Sequence, residues 1–423
     1  MSPVKRNDRT ILGLTMLAHA MVHTYELSLP ILIPVWLVEF GASKATLGVV
    51  LSLGYALFGI GALPGGVLSD SYGSRRLIVV CLLGMGGSFL LLSFAPTLPV
   101  IALALLLWGT AASVYHPSGL SLLSTGIEPD DQGSAFAYHG IAGNVGIAFG
   151  PLATTLLLLA FGWRTVVAVL AVPALVAAVV AFRTSIDETA AVETETRARD
   201  SSAERTTRTD GGLTSISDLL SASRSLFSGW FVAVFGVVML SGLYYRGVLT
   251  FLPDLLSGLS LFAPIDVAGK SLEPARYLYA GLLTVGMVGQ FAGGKLTDRV
   301  ENTAAIAVAF GTLALIALVF VPAADAGLVP LLVVSFALGF WLFAVQPLYQ
   351  ATVAEFTPPD ARGLSYGYTY LGVFGIGALG AAVAGYVLQY YSPTVLFLVL
   401  AGFATVASLL GVLLSLRAGS ELV

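Results

Sequence analysis

Three titratable side chains near the start of the chain are spaced to lie on one face of a helix. His19, His23 and Glu26 stand at i, i+4 and i+7 within the apolar run Ile11–Val38, and residues at these spacings are neighbours on a helix surface. Imidazole and carboxyl groups that lie side by side can take up a proton and pass it on. The spacing therefore predicts a proton-coupling or ligand-binding face on the first helix.

Other polar residues stand inside long apolar runs, where an unpaired charge costs about 2.5 to 3.5 kcal/mol even on the mild insertion scale. We expect these residues to bind substrate or couple protons: Tyr115, His116, His139, Asn144, Tyr244, Tyr245, Arg246, Gln346, Tyr349 and Gln350. A simpler role stays open for three of them. His116 could bond a carbonyl freed by Pro117, and His139 and Asn144 could join helices by hydrogen bonds.

Glu26 and Arg246 are the two charges that need a partner most. Aligning Pro34 with Pro253 as equivalent turns puts them at similar depth, one in each half of the chain. We expect the two charges to face each other across a cavity between the halves. The alternative is a permanent salt bridge that holds the halves together.

The composition requires that these residues be positioned by membrane-spanning helices. Of 423 residues, 57% are hydrophobic, 47 are glycine and only 10% are charged, whereas soluble domains carry about 25% charged residues. The single cysteine cannot form an internal disulfide, and the net charge of −4 gives no nucleic-acid footprint. No phosphate-binding loop of the Gly-x-x-x-x-Gly-Lys-Ser/Thr type occurs, so ATP is not expected to drive the protein's cycle. We predict no cofactor.

Twelve apolar runs are long enough to span a bilayer, which takes about 20 residues. They lie near 11–38, 46–69, 77–95, 99–125, 134–161, 164–182, 229–256, 275–297, 304–322, 328–354, 363–391 and 393–416. This predicts an all-α integral membrane protein with six-helix bundles at 1–182 and 229–423. The segment 183–228 between them is predicted to be a cytoplasmic linker, because it is rich in Thr, Ser, Glu and Arg.

The distribution of basic residues predicts the orientation. Fifteen of the 20 Lys and Arg fall on the side of the N-terminus and four on the other side, which are Lys44, Arg164, Lys270 and Arg276. Basic residues mark the cytoplasmic side, so both termini are expected in the cytoplasm. The protein itself is expected in the plasma membrane. Leu219, Leu220 and Leu226 near the linker's end predict a short helix on the inner membrane surface; a longer flexible tether is the alternative.

The two halves repeat each other. Gly65–Asp70 recurs as Gly293–Asp298 at an offset of 228. At an offset of 230, five residues recur: Pro117, Pro129, Asp130, Gly133 and Gly150 as Pro347, Pro359, Asp360, Gly363 and Gly380. Two six-helix halves related by an axis along the membrane normal are typical of one transporter class. The chain resembles the major facilitator superfamily over essentially its whole length.

The stretch GGVLSDSYGSRR at residues 65–76 is similar to that superfamily's signature between its second and third helices. Its glycines would let helices approach closely, and its charges would pair with each other and with helix ends. The resemblance implies a cytoplasmic latch made by Gly66, Asp70, Gly73, Arg75 and Arg76. Asp298 holds the matching place in the second half, where Val300, Glu301 and Asn302 replace the rest of the motif.

A second motif indicates the direction of transport. Gly146, Gly150 and Pro151 resemble the glycine-proline motif of exporting branches of the superfamily. The runs 109–117 and 142–146, with His19 and the run 29–32, resemble the fosmidomycin-resistance exporters. This chain departs from that family at His23, where asparagine is usual, and Leu105 occupies the place where many drug and proton antiporters carry arginine.

These patterns predict a monomeric, proton-coupled exporter of a small polar or anionic compound such as a drug. Arg246 would attract the anion, Tyr115, Tyr244, Tyr245 and Gln346 would orient it, and Glu26 with His19 or His23 would carry the proton. An importer of an organic anion is the first alternative. A metalloenzyme with His19, His23, His116 and His139 as ligands is the second; no carboxylate or cysteine cluster completes its signature, so we predict no metal and no enzyme.

Overall fold

The computed structural model of the protein describes residues 3–192, 216–358 and 361–420. Residues 193–215 of the predicted linker lie outside this part, and so do the repeat residues Pro359 and Asp360. The first half of the chain forms eight helices: α1 (Pro3–Glu39), α2 (Lys44–Ile60), α3 (Ala62–Tyr72), α4 (Ser74–Ser93), α5 (Leu98–Ser113), α6 (Tyr115–Gly126), α7 (Pro129–Leu158) and α8 (Trp163–Arg183).

The second half repeats this order after a short helix, α9 (Ile216–Phe227). Its other helices are α10 (Phe231–Leu249), α11 (Leu252–Ser257), α12 (Pro274–Leu296), α13 (Asn302–Ala326), α14 (Leu328–Glu355), α15 (Arg362–Tyr370), α16 (Leu379–Tyr390) and α17 (Pro393–Ser420). A π-helical turn, Leu371–Ile376, joins α15 to α16. An exposed antiparallel hairpin, β1 (Ile265–Val267) and β2 (Lys270–Leu272), precedes α12 and was not predicted.

Within the described residues, ten helical segments are long and apolar enough to cross a membrane, or eleven when the bent pair α2–α3 is counted as one span. The sequence predicted twelve. The remaining predicted span corresponds to α12, which has 23 residues. Its mean hydropathy is lower because Gln290, two tyrosines and five glycines interrupt its apolar residues.

Three of the predicted spans are broken into two helices near glycine or proline. The α2–α3 axis bends by 46° at Gly61, and α5 ends shortly before Pro117, which cannot donate a backbone hydrogen bond. Likewise, α10 ends shortly before Pro253. The bend between α2 and α3 exceeds 40°, whereas Leu98–Gly126 and Phe231–Ser257 each remain one membrane-crossing segment.

Helices pack mainly within their own half. In the first half α1 packs on α7, α4 on α8 and α2 on α5, and in the second half α12 packs on α14 and α13 on α17. Between the halves, α2 contacts α16 and α7 contacts α12. This arrangement is the major facilitator fold, in which two helical bundles meet along the centre of the molecule.

We call the side that carries the start of the chain the N-terminal face. The Asn7 side chain donates to the carbonyls of Gly126 (3.2 Å) and Asp187 (3.0 Å), so the end of α6 and the segment after α8 lie on this side. Ala191, within the predicted linker, is only 3% exposed. The linker's first residues therefore pack against the first half instead of forming a free tether from residue 183.

On the opposite face the two halves are tied together. The Lys44 ammonium lies 2.7 Å from the Asp254 carboxylate, and the Lys44 backbone N–H donates to Gln389 (2.9 Å). Deeper in the same contact, the Ser52 hydroxyl donates to the Ala378 carbonyl (2.7 Å). These bonds close the interface between the halves on that side.

Candidate functional site

A cavity of about 410 Å³ lies between the two halves, a volume within the range of small-molecule sites. Its walls come from the parts of α6, α7, α14 and α15 that lie towards the N-terminal face, together with α1, α10 and α12. Most of the predicted site residues line it: His19, His23, Glu26, His116, His139, Asn144, Tyr245, Gln346, Tyr349 and Gln350. Gln290 of α12 lines it as well.

A continuous chain of polar contacts crosses the wall of this cavity. Arg246 forms an ion pair with Glu26, whose second carboxylate oxygen lies 2.6 Å from His23 Nδ1. His23 Nε2 lies 3.1 Å from His19 Nε2, and His19 Nδ1 lies 2.8 Å from the His139 carbonyl oxygen. The chain therefore runs from a helix of the second half to two helices of the first.

The hydrogen-bond acceptors among these contacts limit which atoms can carry the protons. The His139 carbonyl can only accept, so His19 carries its proton on Nδ1 and accepts at Nε2 from His23 Nε2–H. One further proton then lies between His23 Nδ1 and Glu26, on either atom. A proton shared by Glu26 and His23 therefore fits this arrangement.

All four histidines of the chain meet at this site. The His19 ring stacks on His139 with centroids 4.0 Å apart and meets His116 edge-on at 5.3 Å. Tyr115 lies behind them, with its hydroxyl 3.0 Å from His139 Nε2 and bonded to the Thr15 carbonyl. Tyr115 therefore positions His139 and does not itself line the cavity.

Three of the imidazoles could also hold a metal ion. Nitrogen atoms of His19, His23 and His116 lie within 4.8 Å of one another, and imidazole is a common ligand of transition metals. A metal would need the lone pairs of both Nε2 atoms that now share a hydrogen bond. Binding a metal here would therefore displace the proton between His19 and His23.

Arg246 is buried behind the cavity wall, with 2% of its surface exposed. Its guanidinium lies over the Tyr55 ring, 3.8 Å from the centroid, and 5.4 Å from the Tyr245 centroid. Among the described residues no acceptor is bonded to its Nε atom. Arg246 thus reaches the cavity through Glu26, whereas the sequence placed it directly before the substrate.

Tyr244 does not take part in the site, contrary to its predicted role in orienting substrate. Its hydroxyl donates to the Leu313 carbonyl at 3.1 Å, within the second half. It follows Leu243 and precedes Tyr245 on α10, and consecutive helical residues point about 100° apart. Only Tyr245 of this pair faces the cavity.

The sequence missed an aromatic wall on α15 and the π-helical turn. Tyr366, Tyr370 and Phe374 line the cavity at i, i+4 and i+8, and Thr369 lies among them. Their spacing of four residues indicates that they lie on one face of a helix, and it could have been recognised in the sequence. Tyr55 on α2, which stacks on Arg246, had no such signal because its partner lies in the other half of the chain.

The predicted latch is only partly assembled. Arg75 donates to the carbonyls of Ala181 (2.9 Å) and Phe182 (2.6 Å) and so caps the end of α8, where a positive charge is favourable. Asp70 is exposed and forms no ion pair with Arg75 or Arg76 within residues 3–192, 216–358 and 361–420. Asp298 is exposed too.

The glycines of the latch differ in their roles. A methyl group at Gly65 would lie 3.0 Å from Pro117 of α6, whereas one at Gly66 would meet open space. The close helix approach predicted for this motif thus belongs to Gly65 rather than Gly66. Gly73 joins α3 to α4 with a φ of +86°, a conformation that favours glycine.

Gly146 and Gly150 of α7 pack directly on α1. A methyl group at Gly146 would collide with the Ala20 carbonyl, and one at Gly150 would lie 2.6 Å from the Thr24 Cα atom. Pro151 lies inside the same helix. This close crossing holds α7 beside His19 and His23.

Known transporters match this chain in two ways. Short matches include the puromycin resistance protein of Streptomyces alboniger, which is 35% identical over 30% of this chain. The match spans only 25% of that protein's length. Longer matches include the gentisate transporter of Corynebacterium glutamicum, 26% identical over 82% of this chain and 72% of the relative. The gallate transporter of Pseudomonas putida is 25% identical over 89% of this chain and 84% of its own.

The fold agrees with solved transporters. A bacterial homologue of the human lysosomal transporter Spinster superposes with a TM-score of 0.73 at 15% identity, covering 98% of this chain and 97% of the other. The sequence model of the Major Facilitator Superfamily matches residues 14–379. This chain of membrane-spanning helices therefore belongs to the Major Facilitator Superfamily and is a transporter, not an enzyme.

Proposed function

We propose that the protein carries a small organic anion together with a proton, by alternating access of the central cavity to the two sides of the membrane. The observation that carries this proposal is the chain from Arg246 through Glu26 to His23 and His19. It joins the positive group nearest the cavity to groups that take up protons.

The charge balance of the cavity wall favours an anion that binds with a proton. When Glu26 is ionised and the histidines are neutral, the charges of Arg246 and Glu26 cancel, and a bound anion would be uncompensated in a place where charge is expensive. A proton on the Glu26–His23 pair leaves the wall with one positive charge. An anion then completes a neutral site.

Linkage sets the direction of coupling. If a proton strengthens binding of the anion, the anion strengthens binding of the proton by the same factor. Two ligands that favour each other's binding cross the membrane together. The inward proton gradient of a bacterial cell would then drive uptake of the anion.

The longer relatives support this substrate class. Gentisate and gallate are hydroxylated benzoates, each with one carboxylate and one aromatic ring. Here the carboxylate would approach His23 beside the Glu26–Arg246 pair, and the ring would pack against Tyr370 and Phe374. Gln346 and Gln350 would bond the hydroxyl groups.

Flux measurements in proteoliposomes test the proposal. With radiolabelled gentisate or gallate and an alkaline interior, we expect accumulation that collapses when the pH gradient is removed. One proton per monovalent anion is electroneutral, so an imposed membrane potential alone should drive no accumulation. Accumulation driven by potential, or by an acidic interior, would contradict proton and anion symport.

Export of a drug is a second candidate, favoured by the glycine-proline motif at Gly146, Gly150 and Pro151 and by the partial match to a puromycin resistance protein. The resemblance to fosmidomycin-resistance exporters supports it further. A strain that lacks the gene distinguishes the two candidates. Greater sensitivity to these drugs indicates export, whereas poor growth on hydroxylated benzoates indicates uptake.

The rest of the proposal concerns placement. The protein would be a monomer in the plasma membrane with both termini in the cytoplasm, so the cavity would lie towards the cytoplasmic side. Reporter fusions at each terminus test this: a phosphatase active only outside the cytoplasm should stay inactive at both ends.

A further inference from the structure

Three imidazoles of the first half form a group that the proposed function uses only in part. His19 and His23 belong to α1 and His116 to α6, and all three line the central cavity. One ring nitrogen from each lies within 4.8 Å of the other two. The Nε2 atoms of His19 and His23 are 3.1 Å apart, close to the distance of about 3.3 Å between two nitrogens on a tetrahedral zinc ion. The three rings thus approach the spacing of a metal site.

The other nitrogens of two of these rings are held as they are in zinc sites. His19 Nδ1 donates to the His139 carbonyl at 2.8 Å, and His23 Nδ1 lies 2.6 Å from the Glu26 carboxylate. A histidine that binds a metal almost always gives its second nitrogen to a carbonyl or a carboxylate, which orients the ring. Both contacts can stay in place when the Nε2 atoms bind an ion. Only the proton between the two Nε2 atoms must leave, to water in the cavity.

The third ring, that of His116, is available to a ligand. Among the residues that the structure describes, none is hydrogen-bonded to a ring nitrogen of His116. It therefore does not bond a carbonyl freed by Pro117, which was its simpler role. Its ring instead meets His19 at 5.3 Å and His23 at 5.7 Å between centroids. A neutral imidazole has one nitrogen with a lone pair, and no protein donor in the described part of the chain uses it here.

We propose that these three imidazoles bind a divalent transition-metal ion, for which zinc is the best fit. Imidazole nitrogen suits zinc, and three histidines with an open fourth position are an established way to hold it. The fourth position would face the cavity and take a water molecule from it. The sequence argued against a metal because no carboxylate or cysteine cluster is present, but a site of three imidazoles needs neither.

Equilibrium dialysis of the untagged full-length protein against zinc tests the site. No substrate is present, so the result does not depend on the proposed function. We expect one ion per chain, which an excess of Mg²⁺ does not displace because Mg²⁺ prefers oxygen ligands. His116→Phe keeps an aromatic ring between Phe58 and Tyr370. It should weaken zinc binding at least tenfold, since even the loss of a residue that orients a ligand costs about 10- to 100-fold.

His139→Phe is the matched control. The ring nitrogen that it removes contacts the Tyr115 hydroxyl at 3.0 Å, and the backbone carbonyl that holds His19 remains. Zinc affinity should therefore change little. Equal zinc affinity of His116→Phe and His139→Phe would overturn the proposal.

X-ray absorption spectroscopy of the zinc-loaded wild-type protein needs no variant and decides the matter if His116→Phe fails to fold. We expect three imidazoles and one oxygen around the ion, and fewer imidazoles would overturn the proposal. Displacement of the zinc by Mg²⁺ would overturn it too, because the ion would then lie on acidic side chains such as Asp8, Glu128 and Asp131.

Discussion

At the scale of single residues, the buried pair of Glu26 and Arg246 is where we propose that the cavity responds to protons. Both side chains are almost fully buried, and removing one partner of such a pair leaves the other charge uncompensated. The exchange of Glu26 for glutamine is milder, because glutamine keeps the size and a hydrogen-bond acceptor. It also imitates a permanently protonated carboxyl.

We expect Glu26→Gln to bind gentisate and exchange it across the membrane at near normal rates, but to lose accumulation driven by a pH gradient. The variant keeps the positive charge of Arg246, but its side chain at position 26 can no longer bind or release a proton. Counterflow and pH-driven uptake in proteoliposomes measure the two activities separately. Tyr244→Phe is the control: it removes a bond of about 0.5 to 1.5 kcal/mol outside the cavity and should keep both activities.

Full pH-driven accumulation by Glu26→Gln would show that the proton is carried elsewhere. If the variant instead fails to fold while Tyr244→Phe folds normally, the pair is a permanent structural bridge. A melting temperature measured in detergent for both proteins separates this outcome from a transport defect.

The face formed by His19, His23 and Glu26 could be predicted from the sequence because it needs only the geometry of one helix. The expectation that Glu26 faces Arg246 followed from aligning the proline turns at Pro34 and Pro253, which places the two charges at similar depth. Tyr55 and the choice of Tyr245 over Tyr244 could not be predicted, because they depend on how the two halves rotate against each other. No local spacing records that rotation.

At the scale of elements, the crossing of α1 and α7 sets the position of the histidines. The helices touch through Gly146 and Gly150, where the backbone of one lies against the backbone of the other. Any side chain at this crossing would push α7, and with it His139, away from His19. The site therefore depends on the absence of side chains at two positions outside its polar chain.

Gly146→Ala should destabilise the protein by about 1 to 3 kcal/mol, the usual effect of overpacking, because the new methyl group meets the Ala20 carbonyl. Gly133→Ala lies in the same helix where no atom is within 4 Å, so alanine's better helix propensity should raise stability slightly. Melting temperatures in detergent should thus move in opposite directions. A fall of the same size for both variants would contradict the close crossing.

Asp70→Asn tests the latch at the end of α3. Since Asp70 is exposed and has no ion-pair partner in the described ranges, the exchange should leave the melting temperature unchanged. We expect it to lower transport at least tenfold, because the charge is needed when the N-terminal face closes. Normal rates in proteoliposomes at equal protein content would show that Asp70 has no part in closing that face.

The elements themselves were largely predictable. Long apolar runs require helices, and prolines or glycines mark the breaks at Gly61, Pro117 and Pro253. The span α12 was predicted from length, although its glycines and Gln290 lower its hydropathy. The hairpin Ile265–Leu272 was not predicted because its strands have only three residues each, too few to show alternation.

At the scale of the whole molecule, the two halves are joined on the opposite face and separated by the cavity towards the N-terminal face. For substrate to cross, the joined side must open. The contact between Lys44 and Asp254 connects a helix of each half there. An ion pair that is partly exposed contributes about 0.2 to 1 kcal/mol, so it can be broken in each transport cycle.

We expect Lys44→Asp to shift the population towards the state open on the opposite face, by up to about fivefold. The double exchange Lys44→Asp with Asp254→Lys should restore the original balance. The only native cysteine, Cys81, is buried, so a cysteine introduced at Asn144 reports on access to the cavity. Alkylation from the opposite face should quicken in the single variant and return to normal in the double variant. No change in the single variant would exclude this pair as a gate.

The gathering of every histidine into one place has a practical consequence. In a protein with a single imidazole cluster, each side-chain signal of histidine labelled with ¹⁵N arises from the candidate site, with no background from the rest of the chain. Spectra of the protein in nanodiscs would therefore report substrate arrival and proton transfer directly, at four resolved probes. The same property requires that any polyhistidine tag be cleaved first, because a tag would add unrelated imidazoles to the only four that matter.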